Sequence, residues 1–240
     1  MMKTTKMVCA LAALLFFLSS APLQASLITN GSFEADGAVS DGGSITGWTI
    51  DKPVGATTQV VSTFTFTDSA LDDYTRTPED GSYYALLKTD GPGNQNSLSQ
   101  SFTADVGDVL SGKATFLDWE TILSTFPDEA SVDIFDENDQ LVANLFYASG
   151  NPDGSTSGTT PWTSFSHTFT SAGNYTIVAF IQNNGDEEGD SYLGLDGFSV
   201  FDASGSGTIP EPVSFFTFGG LFTAFGFVGM RKNRKEKANK

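Results

Sequence analysis

Short apolar segments alternate with clusters of Gly, Asp, Asn and Pro through the middle of this 240-residue chain, and this alternation is its strongest constraint on fold. The segments are rich in Val, Phe, Tyr and Thr, which favour strands, whereas the clusters favour turns. No long segment repeats its apolar residues at the 3.6-residue period of an amphipathic helix. The pattern therefore predicts an all-β sandwich of about ten strands. The expected strands include residues 59–66, 83–88, 98–102, 109–116, 132–135, 141–147, 164–169, 175–181 and 192–200.

The segment from Val132 to Phe146 gives the clearest hairpin signal. Its two apolar runs flank Asp136-Glu137-Asn138-Asp139, whose short polar side chains favour a turn. These four residues lack the order of acidic ligands and the terminal Glu of an EF-hand loop. We therefore expect a turn capped by its own acidic side chains, and no calcium loop.

The first 25 residues have the three parts of a secretory signal peptide. Two lysines precede an apolar stretch at residues 8–18, and small-residue endings follow at Ala21 and Ala25. We predict cleavage after Ala25, with Ala21 as the alternative. The chain's one cysteine, Cys9, lies inside the apolar stretch, so the mature protein should contain no disulfide.

The C-terminal residues form a second targeting segment. The run from Val213 to Met230 contains no charge, and a helix of this length, about 27 Å, would just cross the hydrocarbon core of a bilayer. Five Lys or Arg residues follow within residues 231–238, which predicts a cytoplasmic C-terminus. An ordinary tail anchor would show the same two features. The triplet Pro210-Glu211-Pro212 before the run distinguishes this segment from an ordinary tail anchor.

In this order, the triplet, the apolar run and the basic tail resemble the PEP-CTERM sorting signal of Gram-negative bacteria. The resemblance covers Ile209 to Lys240. It implies recognition by a membrane protease-transpeptidase of the exosortase type and cleavage near Pro210-Glu211-Pro212. The chain would then be exported across the inner membrane, anchored transiently by a single transmembrane helix, and passed to the cell surface or extracellular matrix.

The region between the two targeting segments is strongly acidic. Residues 26–209 contain 27 Asp and Glu against four Lys and Arg, an excess of 23 negative charges. Without a basic stripe to neutralise phosphates, nucleic-acid binding is excluded as a function class. The carboxylates either keep a secreted protein soluble or hold divalent cations.

The two edges of this region carry a second resemblance. Asn30-Gly31-Ser32-Phe33-Glu34 is followed by the pair Gly47-Trp48, and Leu195-Asp196-Gly197-Phe198-Ser199-Val200 closes the region. These motifs resemble the carbohydrate-binding-module type of the galactose-binding-like jelly roll. The resemblance implies a jelly-roll-type β-sandwich over residues 26–204, with 205–209 as a short linker. It also implies non-catalytic binding of carbohydrate or exopolysaccharide.

The same resemblance implies a structural calcium near the meeting of the N- and C-terminal strands. The matching positions are the side chains of Glu34 and Asp196, with a backbone carbonyl near Asn30 or Gly31. Independently of the resemblance, Asp196 stands among residues that favour burial, and a buried carboxylate needs a partner or a metal. The alternative is that both carboxylates are solvated or hydrogen-bonded to turn amides.

Exposed aromatic rings are candidates for sugar binding, because a pyranose face packs on a ring flanked by polar groups. Trp119 stands between two acidic residues at the end of an apolar strand, and Trp162 follows a Gly-, Ser- and Thr-rich stretch. Tyr84 is the third candidate. Trp48 is the poorest, since the Gly-Trp position of the resembling family belongs to the structure of the sandwich. For each ring, packing in the core or at its rim is the alternative.

The residue inventory argues against an enzyme. His167, the only histidine, alternates with two phenylalanines on a predicted strand, which favours a packed or edge residue over a general base. No cysteine nucleophile, multi-histidine zinc site or GxSxG elbow is present. A carboxylate-pair glycosidase is the enzyme alternative, although no pair stands out. Asp118 and Glu120 would project to the same side of a strand, with an ordinary acidic strand end as the other interpretation. A structural matrix protein without a defined ligand is the other alternative.

Overall fold

The computed structural model describes residues 27–68, 70–119, 127–150, 158–185 and 189–202. The signal peptide, the linker, the triplet Pro210-Glu211-Pro212 and the apolar run that follows it all lie outside these residues. No helix in the described part of the chain is long and apolar enough to cross a membrane.

The described residues form twelve strands. They are β1 (Thr49–Asp51), β2 (Thr57–Val61), β3 (Phe64–Thr67), β4 (Asp73–Arg76), β5 (Tyr84–Lys88), β6 (Gln95–Ala104), β7 (Val109–Leu117), β8 (Glu129–Asp136), β9 (Leu141–Ser149), β10 (Thr163–Thr168), β11 (Gly173–Gln182) and β12 (Tyr192–Phe201).

Ten of these strands form two five-stranded antiparallel sheets. The first sheet has the order β1-β6-β11-β8-β9, and the second has the order β10-β7-β12-β5-β2. Strands β3 and β4 pair only with each other, as the β3–β4 hairpin. The all-β prediction and the two-sheet arrangement of a jelly-roll-like sandwich are confirmed.

The core lies between the two sheets and follows the alternation of each strand. On β11, Tyr175, Ile177, Ala179 and Ile181 point inward and are buried, while the residues between them face out. At one end of the core, the rings of Phe33, Trp48 and Phe198 pack within 5.3 to 6.3 Å of one another. Trp48 is therefore a core residue, as expected for the Gly-Trp position.

The two edge motifs meet at this end of the core. The amide of Phe198 donates to the carbonyl of Gly31 at 2.9 Å, and the indole N–H of Trp48 donates to the carbonyl of Asn30 at 3.1 Å. A Cβ on Gly31 would collide with the Phe198 carbonyl, so only glycine allows this approach. The predicted pairing of the N- and C-terminal motifs is confirmed.

The turn between β8 and β9 also forms as predicted. Asp136 Oδ1 accepts the backbone N–H of Asn138 at 2.8 Å and of Gln140 at 2.9 Å. Asp139 occupies the left-handed region with a φ of 57°, which Asp tolerates in a turn. The backbone hydrogen bonds lower the pKa of Asp136, first from Gln140 and then from Asn138. Asp136 thus caps this turn with its side chain.

The predicted strand at 59–66 is wrong, because the chain divides there into β2 and β3. Up to Val61 the residues pair with β5, whereas from Phe64 they pair with β4. The β3–β4 hairpin lies over the outer face of the second sheet, where Phe64 and Phe66 contact the ring of Tyr192. The outward-facing side chains of Tyr84, Leu86, Thr115 and Leu117 are consequently buried.

Candidate functional site

The carboxylate loop, residues 79–83, connects the two acidic residues of the edge motifs. Asp196 Oδ2 accepts the backbone N–H of Glu79 at 2.7 Å and of Asp80 at 2.8 Å. Glu34 Oε1 accepts the N–H of Ser82 at 2.6 Å and of Tyr83 at 2.7 Å. Glu34 and Asp196 are therefore brought to one short loop, and both bind its backbone amides.

Asp196 is fully buried on the outer face of β12, beneath this loop. Its burial raises its pKa to about 6, although the amides of Asp80, Glu79 and Gly197 act in the opposite direction. Gly197 donates its N–H to the second carboxylate oxygen at 2.7 Å. Both oxygens thus have backbone donors, so burial of this carboxylate does not by itself require a metal.

The third expected ligand is a backbone carbonyl near Asn30 or Gly31. The Asn30 carbonyl accepts the N–H of Phe33 at 3.2 Å and the indole N–H of Trp48, and the Gly31 carbonyl accepts the N–H of Phe198.

The side chain of Asn30 is engaged as well. Its amide nitrogen donates to Asp36 Oδ2 at 3.1 Å and to the Thr46 carbonyl at 3.2 Å, while its oxygen accepts the N–H of Ala35. Within the described residues, no three or more His, Cys, Asp or Glu side chains cluster as a metal site. The geometry corresponds to the alternative of turn amides, and calcium at Glu34 and Asp196 stays a prediction.

An aromatic cleft opens between the β3–β4 hairpin and the start of β12. Its volume is about 490 Å³, within the range of small-ligand pockets. Trp119, just after β7, forms one wall with 37% of its surface exposed, and Tyr192 and Phe64 contribute further rings. Asp190 is the one charged residue among the described residues that line the cleft. The lining residues are Phe64, Thr65, Phe66, Thr67, Trp119, Gly189, Asp190 and Tyr192.

The position of Trp119 depends on its neighbours in the 189–191 segment. The backbone N–H of Trp119 donates to Ser191 Oγ at 3.2 Å. Its indole ring packs on Gly189, which has a φ of +72°, and a Cβ there would collide with the ring. The sequence-predicted Trp119 thus lies exposed beside a cavity.

The other two rings predicted to bind sugar, Tyr84 and Trp162, pack against the protein more closely than Trp119 does. Tyr84 is fully buried beneath the β3–β4 hairpin, so its choice as a ligand-binding ring is wrong. Burial raises its pKa, and its hydroxyl donates to the Arg76 carbonyl at 3.4 Å. Trp162 is half-buried, packs edge-on against Tyr84 with ring centroids 5.4 Å apart, and donates its indole N–H to the Thr77 carbonyl. For Trp162 the structure shows packing at the rim.

A second surface, which sequence analysis missed, lies on the outer face of the first sheet. We call it the polar strip: Glu129, Ser131, Asp133, Asn144, Tyr147 and Gln182. Ser131 and Asp133 face outward from β8 yet keep only 2% and 8% of their surface exposed. Asn144 Nδ2 donates to Ser131 Oγ and to Asp133 Oδ1, each at 2.7 Å. Period-two alternation marks these residues as solvent-facing, but nothing in the sequence distinguishes them from an ordinary outer face.

Aromatic rings stand within the polar strip. Tyr147 is 59% exposed, and its hydroxyl donates to Glu129 Oε2 at 3.1 Å. In the register of the sheet, Tyr147 pairs with Ser131, which pairs on its other side with Phe180. The Cα atoms of Tyr147 and Phe180 are therefore two strand spacings apart, about 10 Å, with a small residue between them.

The enzyme candidates contribute no site among the described residues. His167 is on β10, with its ring edge-on to Phe169 at 5.0 Å, as expected for a packed residue. Asp118 is buried and accepts the backbone N–H of Gly158 at 2.8 Å. Glu120 lies outside the described residues.

Comparison with known proteins gives structural likenesses only. No family model matches the chain, and no curated protein matches it. Among solved structures, the chain is similar to the module TmCBM61 in complex with β-1,4-galactotriose, with a TM-score of 0.46, 13% identity, and coverage of 74% of this chain and 99% of that one.

Two further likenesses are of the same kind. One is the K3 cleaved adhesin domain of Lys-gingipain from Porphyromonas gingivalis, with a TM-score of 0.43, 10% identity, and coverage of 73% and 98%. The other is the CBM22-1 xylan-binding domain from Paenibacillus barcinonensis Xyn10C, with a TM-score of 0.33, 15% identity, and coverage of 68% and 90%. With TM-scores below 0.5, these likenesses carry no argument about the ligand of this chain.

Proposed function

We propose that this protein binds carbohydrate without catalysis, through the aromatic cleft. One observation carries the proposal: the exposed ring of Trp119 stands in a cavity of about 490 Å³ that Asp190 also lines. The apolar face of a pyranose packs on such a ring, while its hydroxyls bind the flanking polar groups.

The polar strip is a second surface of suitable chemistry. It offers the exposed ring of Tyr147 with carboxylate, amide and hydroxyl groups on both sides. A polysaccharide is long enough to contact more than one surface, so the two surfaces are compatible with one extended ligand or two separate chains.

The proposed location of the protein is argued from its C-terminal segments. We propose export by the signal peptide, transient anchoring by the apolar run 213–230, and processing near Pro210-Glu211-Pro212 by an exosortase-type enzyme. The protein would then reach the cell surface or extracellular matrix, where exopolysaccharide is the available polymer. The basis of this proposal is the order of the three C-terminal segments.

A panel of soluble polysaccharides tests the function directly. The full chain, kept in a non-ionic detergent without a sugar headgroup, is titrated with each polymer in an isothermal calorimeter. Binding of at least one glycan, with no release of reducing ends on long incubation, supports non-catalytic recognition. A blank panel with a folded protein favours the structural matrix protein, and release of reducing ends favours a glycosidase.

A further inference from the structure

The lysines of the acidic domain are all engaged in ion pairs. Lys52 Nζ lies 3.1 Å from Asp41, Lys88 Nζ lies 2.8 Å from Asp190, and Lys113 Nζ lies 2.7 Å from Glu79. These three are the only lysines between residues 26 and 209. Each ammonium group therefore already faces a carboxylate of the protein.

Arg76, the remaining cation, is directed inward. Its Nε donates to Thr115 Oγ1 at 3.0 Å, and its two terminal nitrogens donate to the carbonyls of Thr160, at 2.7 Å, and Thr75, at 3.2 Å. Burial lowers its pKa. The guanidinium thus fastens the β3–β4 hairpin to the second sheet by neutral partners, and it is not among the residues that line the cleft.

The charges that face a ligand are consequently negative. Asp190 lines the aromatic cleft with 45% of its side chain exposed. On the polar strip, the charged side chains are Glu129 and Asp133. An acidic sugar would meet carboxylates at both surfaces, within a domain that carries an excess of 23 negative charges.

The pair formed by Lys88 and Asp190 suits a neutral sugar instead. Asp190 Oδ2 accepts from Lys88, while Oδ1 makes no hydrogen bond to any residue that the structure describes. The salt bridge holds the carboxylate of Asp190 in place where this residue lines the cleft. A charged acceptor strengthens the hydrogen bond that a neutral sugar hydroxyl donates to it.

We infer that the aromatic cleft selects neutral polysaccharides and rejects those that carry carboxylate or sulfate groups, with Asp190 accepting a hydrogen bond from a sugar hydroxyl. This inference rests on the proposed carbohydrate-binding function. It names the class of polymer that the cleft takes and the residue that contributes to the selection.

The test uses two panels of polymers with the full chain in the same detergent. The neutral panel contains galactan, xylan, mannan and fully methyl-esterified polygalacturonate, and the acidic panel contains polygalacturonate, alginate and a sulfated galactan. The two polygalacturonates share a backbone and differ in charge. We expect binding within the neutral panel, weak dependence on salt, and at least about tenfold weaker binding of every acidic polymer.

Two variants test whether the bound sugar contacts Asp190 in the cleft. Asp190→Asn should weaken the best neutral ligand by about tenfold, because a charged acceptor is lost. Asp139→Asn, in the exposed turn between β8 and β9, removes the same charge far along the chain from the cleft and should leave affinity unchanged.

The possible outcomes test the selection, the role of Asp190 and the proposed function separately. Acidic polymers that bind as tightly as neutral ones would overturn the selection while leaving carbohydrate binding in place. An Asp190→Asn variant with unchanged affinity would overturn the role of Asp190. No binding in either panel would overturn the proposed function and this inference with it.

Discussion

The indole ring of Trp119 packs against the backbone of Gly189, which has a φ of +72° and no Cβ to hold the ring away. The cleft wall is therefore built by two residues that are distant in sequence, one after β7 and the other just before its paired neighbour β12. This glycine supports one side of the ring, and the backbone N–H of Trp119 donates to Ser191 Oγ, which fixes the main chain at this position.

Gly189→Ala should displace the Trp119 ring and weaken glycan binding. The new Cβ collides with the ring, and the left-handed backbone adds about 1 kcal/mol of strain. We expect a shift of the tryptophan fluorescence maximum and a loss of affinity of at least about tenfold. Gly93→Ala is the matched control, because Gly93 has a φ of +71° with open space at its Cβ position. Equal affinities in the two variants would contradict the role given to Gly189.

Asp196 should make stability depend on pH. Burial raises its folded-state pKa from 3.8 to about 6, so ionisation is less favourable in the folded protein than in the unfolded chain. Its contribution is fully present below about pH 4 and is lost as the pH rises through about 6. Urea unfolding across this window should show wild type losing stability relative to Asp196→Asn as pH increases. A difference that is constant with pH would contradict the assignment.

Calcium at Glu34 and Asp196 is tested by thermal unfolding. A cation bound only by the native state raises the melting temperature, whereas a chelator lowers it. Glu34→Gln should abolish this response, with Glu137→Gln, in the exposed turn after β8, as the control. Equal melting temperatures in calcium and in chelator would remove the calcium prediction and leave the amides of the carboxylate loop as the partners of both carboxylates.

Replacing Pro210 and Pro212 by Ala should block sorting in a host with an exosortase-type enzyme. The expected result is an uncleaved, membrane-bound precursor on an immunoblot, because the triplet is what separates this signal from a plain anchor. Pro53→Ala, on the segment between β1 and β2, controls for the loss of a proline. Unchanged processing would identify the run 213–230 as an ordinary anchor.

Much of the sandwich could be predicted from sequence because alternation reports which face of a strand is buried. The meeting of the two edge motifs was also expected, through their resemblance to the edges of a known jelly roll and the apolar residues around Asp196. The alternation cannot show what covers an outer face. Tyr84 reads as solvent-facing, and only the β3–β4 hairpin, formed by the short segments 64–67 and 73–76, makes it a core residue.

The candidate site was predictable in part for the same reason. Trp119 stands out as a large ring at a strand end, but its cavity depends on β3, which is more than 50 positions away in the chain. The polar strip is less visible still, since Ser131, Asp133 and Asn144 come together only through the register of β8 and β9 and its bulge.

The affinity of Trp119→Ala for the best glycan of the panel tests the central claim most directly. The account predicts a loss of at least about tenfold with an unchanged far-ultraviolet circular dichroism spectrum, because a stacking ring is removed from an exposed position. Phe201→Ala, which removes a 60%-exposed ring at the end of β12, should bind as wild type does. Wild-type affinity in Trp119→Ala, with the loss found instead in Tyr147→Ala, would contradict the cleft as the binding site.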